Sequence, residues 1–166
     1  NRIPFQSYSL SGQENISLMG YQIKVIEVPG HTSNHLAYYL SDDKNNKKTP
    51  VLFIGDTLFG AGCGRIFEGT YQEMFDSLNR INQLPPQTKI YCAHEYTEAN
   101  LRWAHELFPN DLYIKERLKN VSGKRANGLL SIPSNLAEER KTNLFLRAQC
   151  INEFKALRNH KNNWNG

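Results

Sequence analysis

The chain has 166 residues, 39% of them hydrophobic and 22% charged, with a formal net charge of +4 at pH 7. That composition suits one domain with a buried core and excludes a disordered chain. No apolar run approaches the roughly 20 residues that a membrane-spanning helix needs, and no secretory leader pattern opens the chain. The first residue is Asn1 rather than Met, which leads us to expect a processed chain or a piece of a longer one. Lys and Arg are spread along the sequence, thickest at residues 115–125 and after Arg140. A solvated basic surface is the first reading of that spread, attraction of an acidic small molecule the second and nucleic acid the third. Cys63, Cys92 and Cys150 are odd in number and form no CxxC pair, so the reducing cytoplasm is the expected location.

The first half reads as strands. Residues 21–28 (YQIKVIEV) alternate and are β-branched, and residues 36–40 (LAYYL) form a second apolar run. Residues 41–50 (SDDKNNKKTP) predict a surface loop, and residues 51–54 (VLFI) a short buried strand. Thr70 and Glu73 form a capping box that opens a helix with Met74, Phe75, Leu78, Ile81 and Leu84 as its apolar positions, and Pro85-Pro86 stops it. Residues 89–92 (KIYC) predict a strand, and a helix follows over residues 97–108 with Leu101, Ala104, Leu107 and Phe108 on one face. From Asn110 the pattern is helical: residues 112–121, a short helix capped by Ser134 and Asn135, and residues 151–160 with Phe154 and Leu157 inward. The order predicts an α/β layer over residues 1–109 and a helical region over residues 110–166.

Three candidate metal ligands occupy equivalent places. His31, Asp56 and His94 each follow the end of a predicted strand, where ligands collect in open α/β sheets. Gly30 and Gly55 directly precede two of them and permit tight turns. Imidazole nitrogen and carboxylate oxygen together suit zinc, iron or manganese. A hydrogen-bonding loop histidine and an ordinary Gly-Asp turn are the plain alternatives, and the residues alone leave both open. The run Gly60-Ala61-Gly62-Cys63-Gly64-Arg65 lacks the ending of a P-loop and the spacing of a dinucleotide fold. Its glycines would let the backbone approach the site and aim Arg65 at a substrate carboxylate; a flexible loop is the alternative. Cys63 has no activating base near it in sequence and reads as packed, as does Cys92 in its strand.

Four segments taken in order, PGHTSNH (residues 29–35), GDTLF (55–59), GCGRIFEGT (62–70) and CAHEYT (92–97), closely resemble glyoxalase II, the hydroxyacylglutathione hydrolases of the metallo-β-lactamase fold superfamily. LAEER (136–140), TNLFLR (142–147) and LRNHK (157–161) resemble that family's C-terminal helical region. The resemblance implies part of an αββα sandwich followed by helices. It also implies hydrolysis of the thioester S-D-lactoylglutathione to D-lactate and glutathione, the reaction of methylglyoxal detoxification. Two divalent metal ions would serve it, zinc first, with iron or manganese as alternatives. On matching positions His31 and His94 would each bind one ion and Asp56 would bridge both, so these residues would be catalytic through the metals. Arg65, Phe67, Tyr96, Arg158 and Lys161 would hold the glutathione moiety. The implied partner is a small-molecule thioester, with no nucleic acid and no membrane, and the complete protein would be a monomer.

Three departures accompany the resemblance. Asn34 stands where the family usually has Gly, a mild change if that position needs positive φ. Phe67 stands where many members carry Tyr. The family's THxHxDH motif, which supplies four further metal ligands, is absent from these residues. With it missing, each ion would keep two protein ligands where catalytic zinc usually has three, and one sheet face would lie open. This chain alone is therefore expected to bind zinc poorly and hydrolyse little. Two other functions compete: a persulfide dioxygenase-like enzyme with one iron, and a non-catalytic glutathione-binding relative.

Overall fold

The computed structural model describes residues 4–6, 8–41 and 49–166, so most of the expected 41–50 loop lies outside the described residues. Six strands form one sheet in the order β1 (Asn15–Leu18), β2 (Tyr21–Glu27), β3 (Leu36–Leu40), β4 (Val51–Gly55), β7 (Lys89–Cys92) and β8 (Ser134–Asn135). Neighbours run antiparallel except β4 and β7, which are parallel because helix α1 (Tyr71–Ile81) lies between them in the chain. A separate hairpin, β5 (Leu58–Phe59) and β6 (Gly62–Cys63), precedes α1. Helices α2 (Thr97–Leu107), α3 (Leu112–Ala126), α4 (Leu136–Thr142), α5 (Leu144–Arg147) and α6 (Ile151–Asn162) complete the chain.

Alternation along the strands sets two faces. Tyr39, Leu52 and Ile90 stand in register across β3, β4 and β7, and all are buried in the core. The opposite face carries Tyr38, Phe53 and Tyr91 in register; Phe53 is 46% exposed, with its ring 5.2 Å from that of Tyr91.

The capping box at α1 forms as the sequence predicts: Thr70 accepts from the Glu73 amide at 3.1 Å, and the Glu73 carboxylate accepts from the Thr70 amide at 2.7 Å. Met74, Leu78 and Ile81 are buried on its inner face. α3 runs beyond residue 121 to Ala126, despite Gly123, and closes at Asn127 with Gly128 at φ +71°. Ser122 within that extension donates to Glu98 of α2 at 2.7 Å, so packing against α2 sustains a turn that propensity alone would not. Asn135 caps α4 by accepting from the Glu138 amide, and it also pairs with Lys89 as part of β8. The strands β5, β6 and β8 and the single turn of α5 carry too few residues for periodicity to reveal them.

One hydrophobic cluster runs from Ile26 to Phe154 and draws on residues from both sides of residue 110. Trp103 stacks on Phe145 with ring centroids 5.3 Å apart, and Phe145 meets Phe154 at 5.7 Å. Tertiary packing therefore ties the helices to the sheet.

Candidate metal centre and ligand cleft

β2, β4 and β7 all end at one edge of the sheet, because β2 and β4 flank the antiparallel β3 and β7 runs parallel to β4. The segments leaving those ends carry His31, Asp56 and His94, and the three side chains converge. His31 Nε2 lies 3.7 Å from Asp56 Oδ2, and His94 Nε2 lies 3.3 Å from Asp56 Oδ1. Each carboxylate oxygen thus faces a different imidazole.

The surroundings fix these groups. His31 Nδ1 sits 2.8 Å from the Arg65 carbonyl oxygen. A carbonyl only accepts, so Nδ1 carries a proton, and Nε2 is the ring nitrogen turned toward Asp56. The Asp56 amide donates to His35 Nε2 at 3.2 Å, and burial pushes the His35 pKa down, which favours the neutral ring that this bond requires. Gly55 is at φ +56°, and a Cβ there would lie 2.5 Å from His35 Nε2. Gly64 packs closer still: a Cβ would stand 2.0 Å from the Asp56 carbonyl oxygen.

This donor set fits a divalent cation. Asp56 Oδ1 is buried with no hydrogen-bond partner among the described residues, although a buried anionic oxygen normally has one. Two imidazole nitrogens and a two-oxygen acceptor suit borderline cations. Among the described residues, however, no group of three or more His, Cys, Asp or Glu side chains could hold a metal ion by itself. The three side chains therefore form an incomplete donor set.

All eight residues singled out in the sequence, His31, Asp56, Arg65, Phe67, His94, Tyr96, Arg158 and Lys161, line one cleft of about 500 Å³ together with Phe59, Cys63 and Asn100. The Tyr96 ring stacks on His94 at 5.0 Å, and the exposed Phe67 ring lies 4.9 Å from that of His31. Arg158 is only 3% exposed. Its Nη1 donates to the Cys63 carbonyl at 2.9 Å and its Nε to Asn162 at 3.0 Å, and its guanidinium carbon lies 5.1 Å from the Phe145 ring centroid. Lys161 places Nζ 3.9 Å from the Trp164 ring centroid and 5.2 Å from that of Trp103. Burial, with repulsion from Arg158, pushes its pKa down to about 8.

The glycine-rich run folds as the β5–β6 hairpin rather than a loose loop, with its corner residue Ala61 at φ +53°. Cys63 is buried, and desolvation raises its thiol pKa to about 11, which removes it as a nucleophile. Cys92 is half-buried, with Sγ 3.4 Å from the His94 carbonyl oxygen. Asn34 is not among the residues at positive φ, so replacing Gly there carries no backbone penalty. Sequence reasoning assigned no role to His35 or Glu139. The four-residue spacing from His31 could have flagged His35, but no local pattern marks Glu139.

The arrangement of sheet, helices and strand-edge site is that of the metallo-β-lactamase fold. A metallo-β-lactamase from Staphylococcus aureus superposes with a TM-score of 0.67 over 99% of this chain and 41% of that one, at 21% identity. ETHE1 from Myxococcus xanthus does so with a TM-score of 0.65 over 98% of this chain and 56% of its own, also at 21% identity. Residues 95–164 match the family described as hydroxyacylglutathione hydrolase C-terminus. Over 163 residues the chain is 62% identical to the hydroxyacylglutathione hydrolase of Prochlorococcus marinus strain MIT 9211, covering 98% of this chain and 64% of that protein. The counterpart from Synechococcus sp. strain WH7803 is 50% identical over 166 residues, covering 99% of this chain and 65% of that one. Over nearly its whole length the chain is similar to these hydroxyacylglutathione hydrolases, and it spans just under two thirds of their length.

Proposed function

We propose that this chain forms part of a metal-dependent thioester hydrolase that converts S-(2-hydroxyacyl)glutathione, S-D-lactoylglutathione foremost, to glutathione and a 2-hydroxy acid such as D-lactate. The observation that carries the reading is the Asp56 carboxylate, set between His31 and His94 with one oxygen toward each and Oδ1 buried without a hydrogen bond. A carboxylate so placed can serve two cations, each with one histidine, in a donor set that the family's THxHxDH motif completes. Zinc is our first assignment, ahead of iron and manganese. Divalent cations held there would supply Lewis acidity, acidifying water and drawing charge from a carbonyl oxygen.

The chain's own residues supply orientation. The Arg65 carbonyl holds the His31 tautomer, and His35 holds the Asp56 backbone. Glutathione carries two carboxylates, and Arg65, Arg158 and Lys161 put cationic side chains along the cleft where those groups would lie. Phe67 packs against the His31 ring and Tyr96 stacks on His94, which orients the two imidazoles. In the reaction, water oxygen bonds to the thioester carbon, the carbon–sulfur bond breaks, and sulfur leaves as the glutathione thiolate. We place the protein in the cytoplasm as a monomer; the described residues contain no helix long and apolar enough to cross a membrane.

The test is loss of S-D-lactoylglutathione absorbance with the protein at its relatives' full length, with metal content determined on the same sample. Turnover with about two metals per chain, lost in Asp56→Asn, is the expected result. Oxygen uptake with glutathione persulfide and no thioester loss would overturn it in favour of a one-iron dioxygenase. Glutathione binding without either reaction would leave a non-catalytic relative.

A further inference from the structure

The β5–β6 hairpin forms one wall of the cleft through Phe59 and Cys63, yet it has only two cross-strand pairs, too few to hold itself. Ala61 at its corner also adopts a left-handed φ of +53°, which a residue with a side chain disfavours. Side chains from four helical elements grip its backbone instead. Asn100 of α2 donates to the Gly60 carbonyl at 3.0 Å. Asn143, the cap of α5, donates to the carbonyls of Phe59 at 3.3 Å and Gly62 at 3.0 Å. Arg158 of α6 donates to the Cys63 carbonyl. The Ala61 amide itself donates to Glu139 of α4 at 2.8 Å.

Glu139 is the hub of this grip. It is fully buried, and its Oε2 accepts from both the Ala61 amide and Asn143 Nδ2, the latter at 3.2 Å. Its Oε1 accepts from Arg117 at 2.5 Å. Burial opposes the charge on Arg117, but the Glu139 carboxylate outweighs it and holds the guanidinium pKa above its ordinary value. A buried ion pair is a poor route to stability compared with apolar packing, so its placement here calls for another reason. Position supplies that reason: the same carboxylate fixes Ala61 and orients Asn143, which holds the carbonyls of Phe59 and Gly62. The wall continues into Gly64, packed on Asp56, and Arg65, whose carbonyl holds His31.

We infer that Glu139 is a positioning residue that sets the shape of the hairpin wall, and that ligand affinity in the cleft is thereby controlled from the helical region. The ligand half of this inference rests on the glutathione reading above; the hairpin half does not.

The experiment compares Glu139→Gln with Val121→Ala, a buried α3 substitution that removes none of the hydrogen bonds to the hairpin and serves as a stability control. Amide hydrogen exchange at Ala61, Gly62 and Cys63 is measured by NMR against the amides of β2–β4, and glutathione affinity by calorimetry. Glu139→Gln is expected to speed hairpin exchange about tenfold relative to the sheet and to weaken glutathione binding by about tenfold, the scale of one charge-assisted hydrogen bond. Val121→Ala should change neither ratio nor affinity. Asn100→Ala, which frees the Gly60 carbonyl and also removes a cleft-lining side chain, is read by exchange alone; it should speed hairpin exchange by a smaller factor and carries the hairpin half of the test if Glu139→Gln does not fold. Hairpin exchange that stays in step with the sheet in these variants overturns the inference. If even the unmodified protein fails to bind glutathione, the functional reading fails, while the exchange ratio still decides the role of Glu139.

Discussion

Replacing Arg117 by Met isolates the electrostatic cost at the centre of the helical region. The Arg117 side chain is 4% exposed and donates to Glu139 Oε1 and to Thr142 Oγ1, each at 2.5 Å, with Glu138 Oε2 3.4 Å away. Met fills similar space but donates nothing, so a fully buried carboxylate loses its counter-charge. Breaking a buried pair from one side costs about 3–5 kcal/mol. Glu139 keeps the Ala61 and Asn143 donors, which solvate one of its oxygens and favour the lower end, about 3 kcal/mol. Loss of the Thr142 bond adds about 1 kcal/mol. The expected total, about 4 kcal/mol, is a large part of the roughly 5–15 kcal/mol that holds a domain folded. With a urea slope of about 2 kcal/mol per molar, the unfolding midpoint should fall by about 2 M. The double variant Arg117→Met with Glu139→Gln removes the stranded charge and should be more stable than Arg117→Met alone. A midpoint shift under about 0.5 M, or a double variant less stable than the single, would refute the assignment of the cost to an uncompensated carboxylate.

Other outcomes follow from the same contacts. Lys161 has a folded pKa near 8 against an ordinary 10.5, so between those values the unfolded chain holds a proton that the folded chain has released. Its contribution therefore makes stability rise with pH across that window; melting temperatures from pH 8 to 10, compared with Lys161→Met, should show the rise in the unmodified protein alone, and a fall would contradict it. Gly64→Ala forces a Cβ to within 2.0 Å of the Asp56 carbonyl oxygen. It should destabilise by about 1–3 kcal/mol in denaturant unfolding, and a change under about 0.5 kcal/mol would show that the backbone there yields freely. Asp56→Asn keeps the shape of the side chain but removes its charge; zinc uptake by the protein at its relatives' full length, measured by equilibrium dialysis, should weaken at least about tenfold, and unchanged uptake would place the metal elsewhere.

The sequence by itself determined the features that depend on near neighbours. The capping box at Thr70 and Glu73 and the strands β3 and β7 formed where local pattern placed them, because caps and two-residue alternation are decided within a few positions. His31, Asp56 and His94 were legible as a group because strand ends of one sheet share an edge. Only the tertiary structure decided that the glycine-rich run is a hairpin, since its two pairings would not hold it and its partners lie far along the chain; Glu139 is 78 residues from Ala61, and Arg158 is 95 from Cys63. The same holds for Arg158 itself. The hydrophobic cluster buries α6 deeply enough that the guanidinium pairs with backbone and lies over Phe145. Which side chains meet across such separations depends on how helices dock on the sheet, and that docking is governed by burial of the whole apolar cluster rather than by any local pattern.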